Sequence, residues 1–139
     1  MNIINSCDKI IYAIKRWQLH KGMTMTSILK KLIARKLLLI KTIVDKDKDG
    51  DRFIIVWTDK NKNFIRDYCL TVDDIKDVVR NLTVQDYFAG PEEDRDKQYD
   101  GWIFKFSPMF GNLKLYVKIR IEDKNKAICL SIHEFGLYD

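Results

Sequence analysis

Tyr116, Lys118 and Arg120 alternate along one segment of the chain, and Ser131 and His133 alternate along another that follows after a short turn. If both segments are strands, residues at every second position share a face, and a phenol, two cations, a hydroxyl and an imidazole meet on one surface. That set suits the cleavage of RNA without a metal ion. Attack of a ribose 2′-hydroxyl on the adjacent phosphate needs a base at the hydroxyl, cations against the charge that builds on the phosphate oxygens, and an acid at the departing 5′ oxygen. His133 transfers protons near neutral pH, whereas Tyr116 and Lys118 do so only with lowered pKa values. His133, Tyr116 and Lys118 are therefore the candidate catalytic residues. Arg120, Lys105, Arg95 and Ser131 are the candidate RNA contacts. The same residues also make an ordinary solvated sheet face, and the pattern alone does not choose between the two.

The elements that must hold these side chains are legible from periodicity. In residues 114 to 121, Leu115, Val117, Ile119 and Ile121 form the apolar set opposite Tyr116, Lys118 and Arg120; in residues 127 to 135, Ile128, Leu130 and Ile132 lie opposite Cys129, Ser131 and His133. A two-residue turn at Lys124-Asn125 sets Tyr116 against His133 and Lys118 against Ser131. "WIFKF", from Trp102, is a third strand whose Trp102, Phe104 and Phe106 pack into the core.

Upstream, residues 3 to 20 read as an amphipathic helix, and a second helix starts at Thr26 or Ser27. "LLLIKTIV" and "RFIIVW" are rich in branched residues and flank a polar turn, which predicts a hairpin or two strands. Asp45, Asp47, Asp49 and Gly50 match the start of a calcium loop, but Val56 stands where its bidentate Glu belongs. Two short helices follow, from Thr58 or Asp59 and from Thr71, the latter with a Thr71/Asp74 capping-box spacing and a stripe of Ile75, Val78, Val79 and Leu82. A further helical turn from Thr83 is expected to stop at Gly90-Pro91, before a polar loop to Gly101. Helices first and a strand meander last predict an α+β fold with helices on one face of a mainly antiparallel sheet.

The chain has 139 residues, 46% of them hydrophobic, enough for one globular core with an N-terminal elaboration. The division expected is a helical and hairpin extension over residues 1–50 and a core over 51–139. A net charge of +5 permits an anionic partner without demanding one. Cys7, Cys69 and Cys129 fit no disulfide or metal-ligand spacing and read as buried thiols in a reducing cytoplasm. No apolar run is long enough for a signal peptide or a membrane span, so no membrane partner is expected.

The run "NFIRDYCLTVDDIKDVVRNLTVQDYFAGPEEDRD", followed by "GWIFKF", "GNLKLYVKIRI" and "ICLSIHEF", resembles the MqsR (motility quorum-sensing regulator) family of type II toxins. The resemblance spans about residues 53 to 139, and its most specific pieces are "DYFAGPEED" and the pairing of "LYVKI" with "SIHEF". It implies a RelE-like fold, metal-independent endoribonuclease activity on mRNA with no cofactor, a cognate antitoxin as partner, and the ribosome as a further candidate partner. It also implies that Tyr116, Lys118 and His133 lie at the active site. The chain departs from some members at His133, where they have Lys, and at Ala89 and Ile103. The competing readings are a non-catalytic nucleic-acid-binding regulator and a protein-interaction module that use the same face.

Overall fold

The computed structural model describes residues 27–96, 98–122 and 125–136. The helix expected over residues 3 to 20, Cys7 and Lys124 of the expected turn lie outside them. The first described element, α1 (Ser27–Lys46), is a helix because Leu29, Leu32, Ile33, Leu37, Ile40, Ile43 and Val44 recur at helical spacing and are all buried. Its second half is the branched run 37–44, which was expected to be a strand. An apolar run satisfies both periods, and here the face already begun by Leu29 and Ile33 selects the helical one. The expected hairpin therefore has no first strand. β1 (Phe53–Ile55) instead pairs in parallel with the strand Ala127–Glu134.

Between α1 and β1 the turn is built on Asp47. Its carboxylate accepts hydrogen bonds from the backbone N–H groups of Arg52 at 2.7 Å and Phe53 at 2.8 Å, and pairs with Lys76 at 2.7 Å. Burial acts to raise the pKa of this carboxyl, but the Lys76 hydrogen bond, the two backbone donors and the Lys76 charge outweigh it and lower the pKa to about 2. Asp45 pairs with Arg80. The segment that resembles a calcium loop thus spends Asp47 and Asp45 on the chain itself.

α2 (Asp59–Asp67) is capped by Thr58, and α3 (Val72–Arg80) carries the expected capping box of Thr71 and Asp74. Ile75, Val79 and Leu82 of the expected stripe are buried, and Val78 packs against them partly covered. After α2 the chain turns through Cys69 at φ +53°, which leaves that thiol exposed rather than buried, while Cys129 is buried as expected. The helical turn expected from Thr83 is a single 3-10 turn, Val84–Asp86, after which Tyr87–Glu92 forms β2. Gly90-Pro91 therefore lies within a strand instead of ending a helix. Gly90 (φ +101°) rides so close over the neighbouring strand that a Cβ there would strike the Ile103 carbonyl oxygen, which is why the pairing is irregular at this point.

β3 (Trp102–Phe106), β4 (Met109–Phe110), β5 (Leu113–Ile121) and β6 (Ala127–Glu134) complete a sheet of order β1-β6-β5-β3-β2, with β4 paired to β5. The β1–β6 pair is parallel and the other pairs are antiparallel, so the fold is α+β with a mixed, mostly antiparallel sheet. The buried stripes of α1 and α3, with Phe64 of α2, form one cluster with Phe104, Phe106, Leu115, Val117, Ile119 and Ile132. The helices accordingly cover one face of the sheet, and α1 shares this cluster with the strands that follow residue 50. Among the described residues no helix is long and apolar enough to cross a membrane.

Candidate active site on the polar sheet face

The face turned away from the helices is set by the register of β5 and β6. Tyr116 pairs with His133 and Lys118 with Ser131, as the alternation predicts, and then the register shifts. Beyond the shift, Ile119 pairs with Cys129 and Arg120 with Ile128. The extra residue in β6 exchanges the faces of the two residues on its far side, so Cys129 joins the core and Ile128 lies on the polar side, the reverse of the expectation from strict alternation. Asn61 of α2, 1% exposed, holds this bulge. Its amide nitrogen donates to the carbonyls of Val56 at 2.8 Å and Leu130 at 3.1 Å, and its oxygen accepts from the Ile132 backbone N–H at 2.9 Å. A helix side chain thereby fixes which residues of β6 reach the site.

Tyr116 and His133 are stacked, with ring centroids 5.2 Å apart and planes 12° from parallel. Phe88 and Phe135 lie against the Tyr116 ring at 5.9 and 6.1 Å and against each other at 5.6 Å, and Lys114 places its ammonium 4.5 Å from the Phe135 ring centre. His133 Nδ1 lies 2.9 Å from the Glu134 carbonyl oxygen. A carbonyl only accepts, so this hydrogen bond puts the proton on Nδ1 and the lone pair of a neutral ring on Nε2. The imidazole is 4% exposed, whereas the alternation suggested a solvent-facing group.

Lys118 stands opposite Lys105 of β3 in the strand register. Like charges directly opposite each other destabilise a sheet, and their proximity is tolerated only with local compensation. Lys105 has that compensation in Glu92, 3.3 Å away, while Lys118 forms no ion pair among the described residues. Burial first, and then the Lys105 charge, push the Lys118 pKa below its ordinary value, with Glu92 and Asp94 opposing. Arg120 is buried and committed: it donates to Asp94 at 2.7 Å and Glu122 at 2.8 Å, lies 4.2 Å from the Tyr99 ring centre, and leaves its buried Nε without a hydrogen-bond partner. The Asp96 backbone N–H, against burial and with help from Arg120, holds the Asp94 carboxyl below its usual range. Arg95 is exposed on the loop beside Asp94.

Tyr116, His133, Lys118, Ser131 and Lys105 thus share one surface, Arg95 borders it, and Arg120 braces the 93–96 loop instead of presenting a free guanidinium. Sequence reasoning missed Asn61, Phe88, Phe135 and Lys114. The aromatic pair was visible as "DYF" and "HEF" at the ends of strands, but nothing local marks Asn61, whose partners lie far along the chain. A stacked imidazole and phenol beside a lysine of lowered pKa can move protons and oppose anionic charge. Scans of this chain against protein-family models, curated proteins and solved structures found no match.

Proposed function

We propose that the polar face of the sheet binds RNA and cleaves it by 2′-hydroxyl attack, which makes the chain a metal-independent endoribonuclease. On this reading the fold is RelE-like, the chain is an MqsR-like toxin acting on mRNA, and a cognate antitoxin masks the face. The observation that carries the proposal is Lys118, half-buried, opposite Lys105 and without an ion pair among the described residues, next to the Tyr116–His133 stack. Glu92 answers the Lys105 charge, and Lys118 is left facing it without an ion pair among the described residues until a further anion arrives, which a phosphodiester supplies. His133 Nε2 takes the 2′-hydroxyl proton as the 2′ oxygen bonds to phosphorus, Lys118 and Lys105 oppose the charge on the phosphate oxygens, and the Tyr116 hydroxyl gives its proton to the 5′ oxygen as the bond from phosphorus to that oxygen breaks. The products are a 2′,3′-cyclic phosphate and a 5′-hydroxyl. Phe88, exposed and packed edge-on against Phe135, offers a stacking surface to a neighbouring base.

One observation favours a second reading. A 4% exposed imidazole has to be uncovered before it reaches a substrate, which suits a nucleic-acid-binding regulator that uses the same cations without chemistry. Incubation with a defined RNA in excess chelator separates the two. Cyclic-phosphate ends that disappear in His133→Ala support the nuclease; RNA bound but intact after long incubation overturns it in favour of the regulator.

A further inference from the structure

The chain holds 25 Lys and Arg against 20 Asp and Glu. Five of the cations, Lys30, Lys31, Arg35, Lys36 and Lys41, and none of the acids fall between residues 27 and 44, so the rest of the chain is balanced at twenty of each. The whole net charge of +5 is therefore that of one helix, α1. Among the described residues none of the five forms an ion pair. The acids nearest in sequence and on the packed helix are engaged elsewhere, Asp45 and Asp77 with Arg80 and Asp47 with Lys76. No acidic residue occupies the first turn of α1, where Lys30 sits at the positive end of the helix dipole. That placement is unfavourable for the helix by itself.

We infer that the outer face of α1 is a second, non-catalytic surface that binds the phosphate backbone of double-stranded nucleic acid. At 100° per residue, Lys30 and Lys41 form one row, about 16 Å along the axis, and Lys31 and Arg35 a shorter one of about 6 Å beside it, with exposed Leu38 between them. A duplex presents about ten phosphates over the length of the longer row on its two strands. α1 contains no aromatic residue, so it has no stacking platform for unpaired bases, in contrast to the sheet face. Its apolar stripe is committed to the core, leaving only Ile28 and Leu38 exposed, too little apolar surface for a helix that lies in a bilayer interface. Because the buried side of α1 packs on the helix-covered face of the sheet, its outer face and the Tyr116–His133 site are on opposite sides of the molecule. The inference does not depend on whether the sheet face cleaves RNA.

The test is titration of a labelled 20-base-pair DNA duplex at several salt concentrations. The wild type is compared with Lys30→Gln/Lys31→Gln/Arg35→Gln and with Lys48→Gln/Lys62→Gln/Arg66→Gln, which changes net charge equally outside α1. Gln maintains helix propensity and the α1 positions are exposed, so both proteins should fold; Lys31→Gln alone serves as a milder variant. The α1 triple variant should bind at least 10-fold more weakly at 0.1 M salt, with a log–log salt slope flatter by roughly 2.7, and Lys31→Gln by roughly 0.9. Equal losses in the two triple variants would reduce the effect to net charge and overturn the assignment. Wild-type binding to phosphatidylserine vesicles without binding to the duplex would overturn it as well.

Discussion

His133 and Tyr116 are each other's packing partners, so a substitution at either position reports on both structure and chemistry. Tyr116→Phe maintains the ring and its stack while removing the hydroxyl. It should change stability by less than about 0.5 kcal/mol and lower the single-turnover cleavage rate about 10-fold or more. His133→Ala removes a buried ring, so it should cost stability as well as about 10²-fold in rate. Thermal melts run beside the cleavage assay separate the two effects. A folded double mutant with full activity would remove both residues from the site.

At the scale of elements, two polar side chains join helices to strands. Asn61 supplies two donors to carbonyls and one acceptor to an amide, and it ties α2 to the bulge in β6. Asn61→Asp is nearly isosteric but places a carboxylate oxygen against two carbonyl oxygens. It should destabilise the fold by about 2–4 kcal/mol, measured by urea unfolding, and disturb the register that sets Ser131 and His133. Asp47 gives a pH test. Its folded pKa of about 2 lies below the usual 3.8, so the stabilisation is present in full above the ordinary carboxylate range and is lost as pH falls through about 2. Asp47→Asn should be less stable at pH 7 by about 1–2 kcal/mol, allowing for screening of the ion pair, and the difference from wild type should close toward pH 2. A difference that persists at low pH would assign the effect to hydrogen-bond geometry rather than charge.

For the molecule as a whole, the proposed toxin predicts that expression of the chain alone arrests growth and that a co-expressed cognate antitoxin relieves the arrest. Growth curves of wild type and Lys118→Ala in one host test this. Equal arrest by both would detach toxicity from the polar face. The two opposed surfaces, one aromatic with partly paired cations and one a bare basic helix, also predict that salt weakens duplex binding through α1 while leaving the Tyr116–His133 stack intact.

The amino-acid sequence by itself determined the capping box of α3, the strands β3, β5 and β6, and the meeting of Tyr116 with His133 and of Lys118 with Ser131, because each rests on spacing within a few residues or across one turn. Only the tertiary structure decided the rest. Whether residues 37–44 were helix or strand depended on the apolar face that Leu29 and Ile33 share with them, and β1 pairs with β6, a strand so far along the chain that no local pattern joins them. The bulge that sends Cys129 inward is held by an amide some seventy residues away, and Arg120 is engaged by Asp94 on a loop that strand alternation cannot locate. Local spacing fixes what repeats with the backbone; contacts between distant segments fix which of the allowed repeats is used.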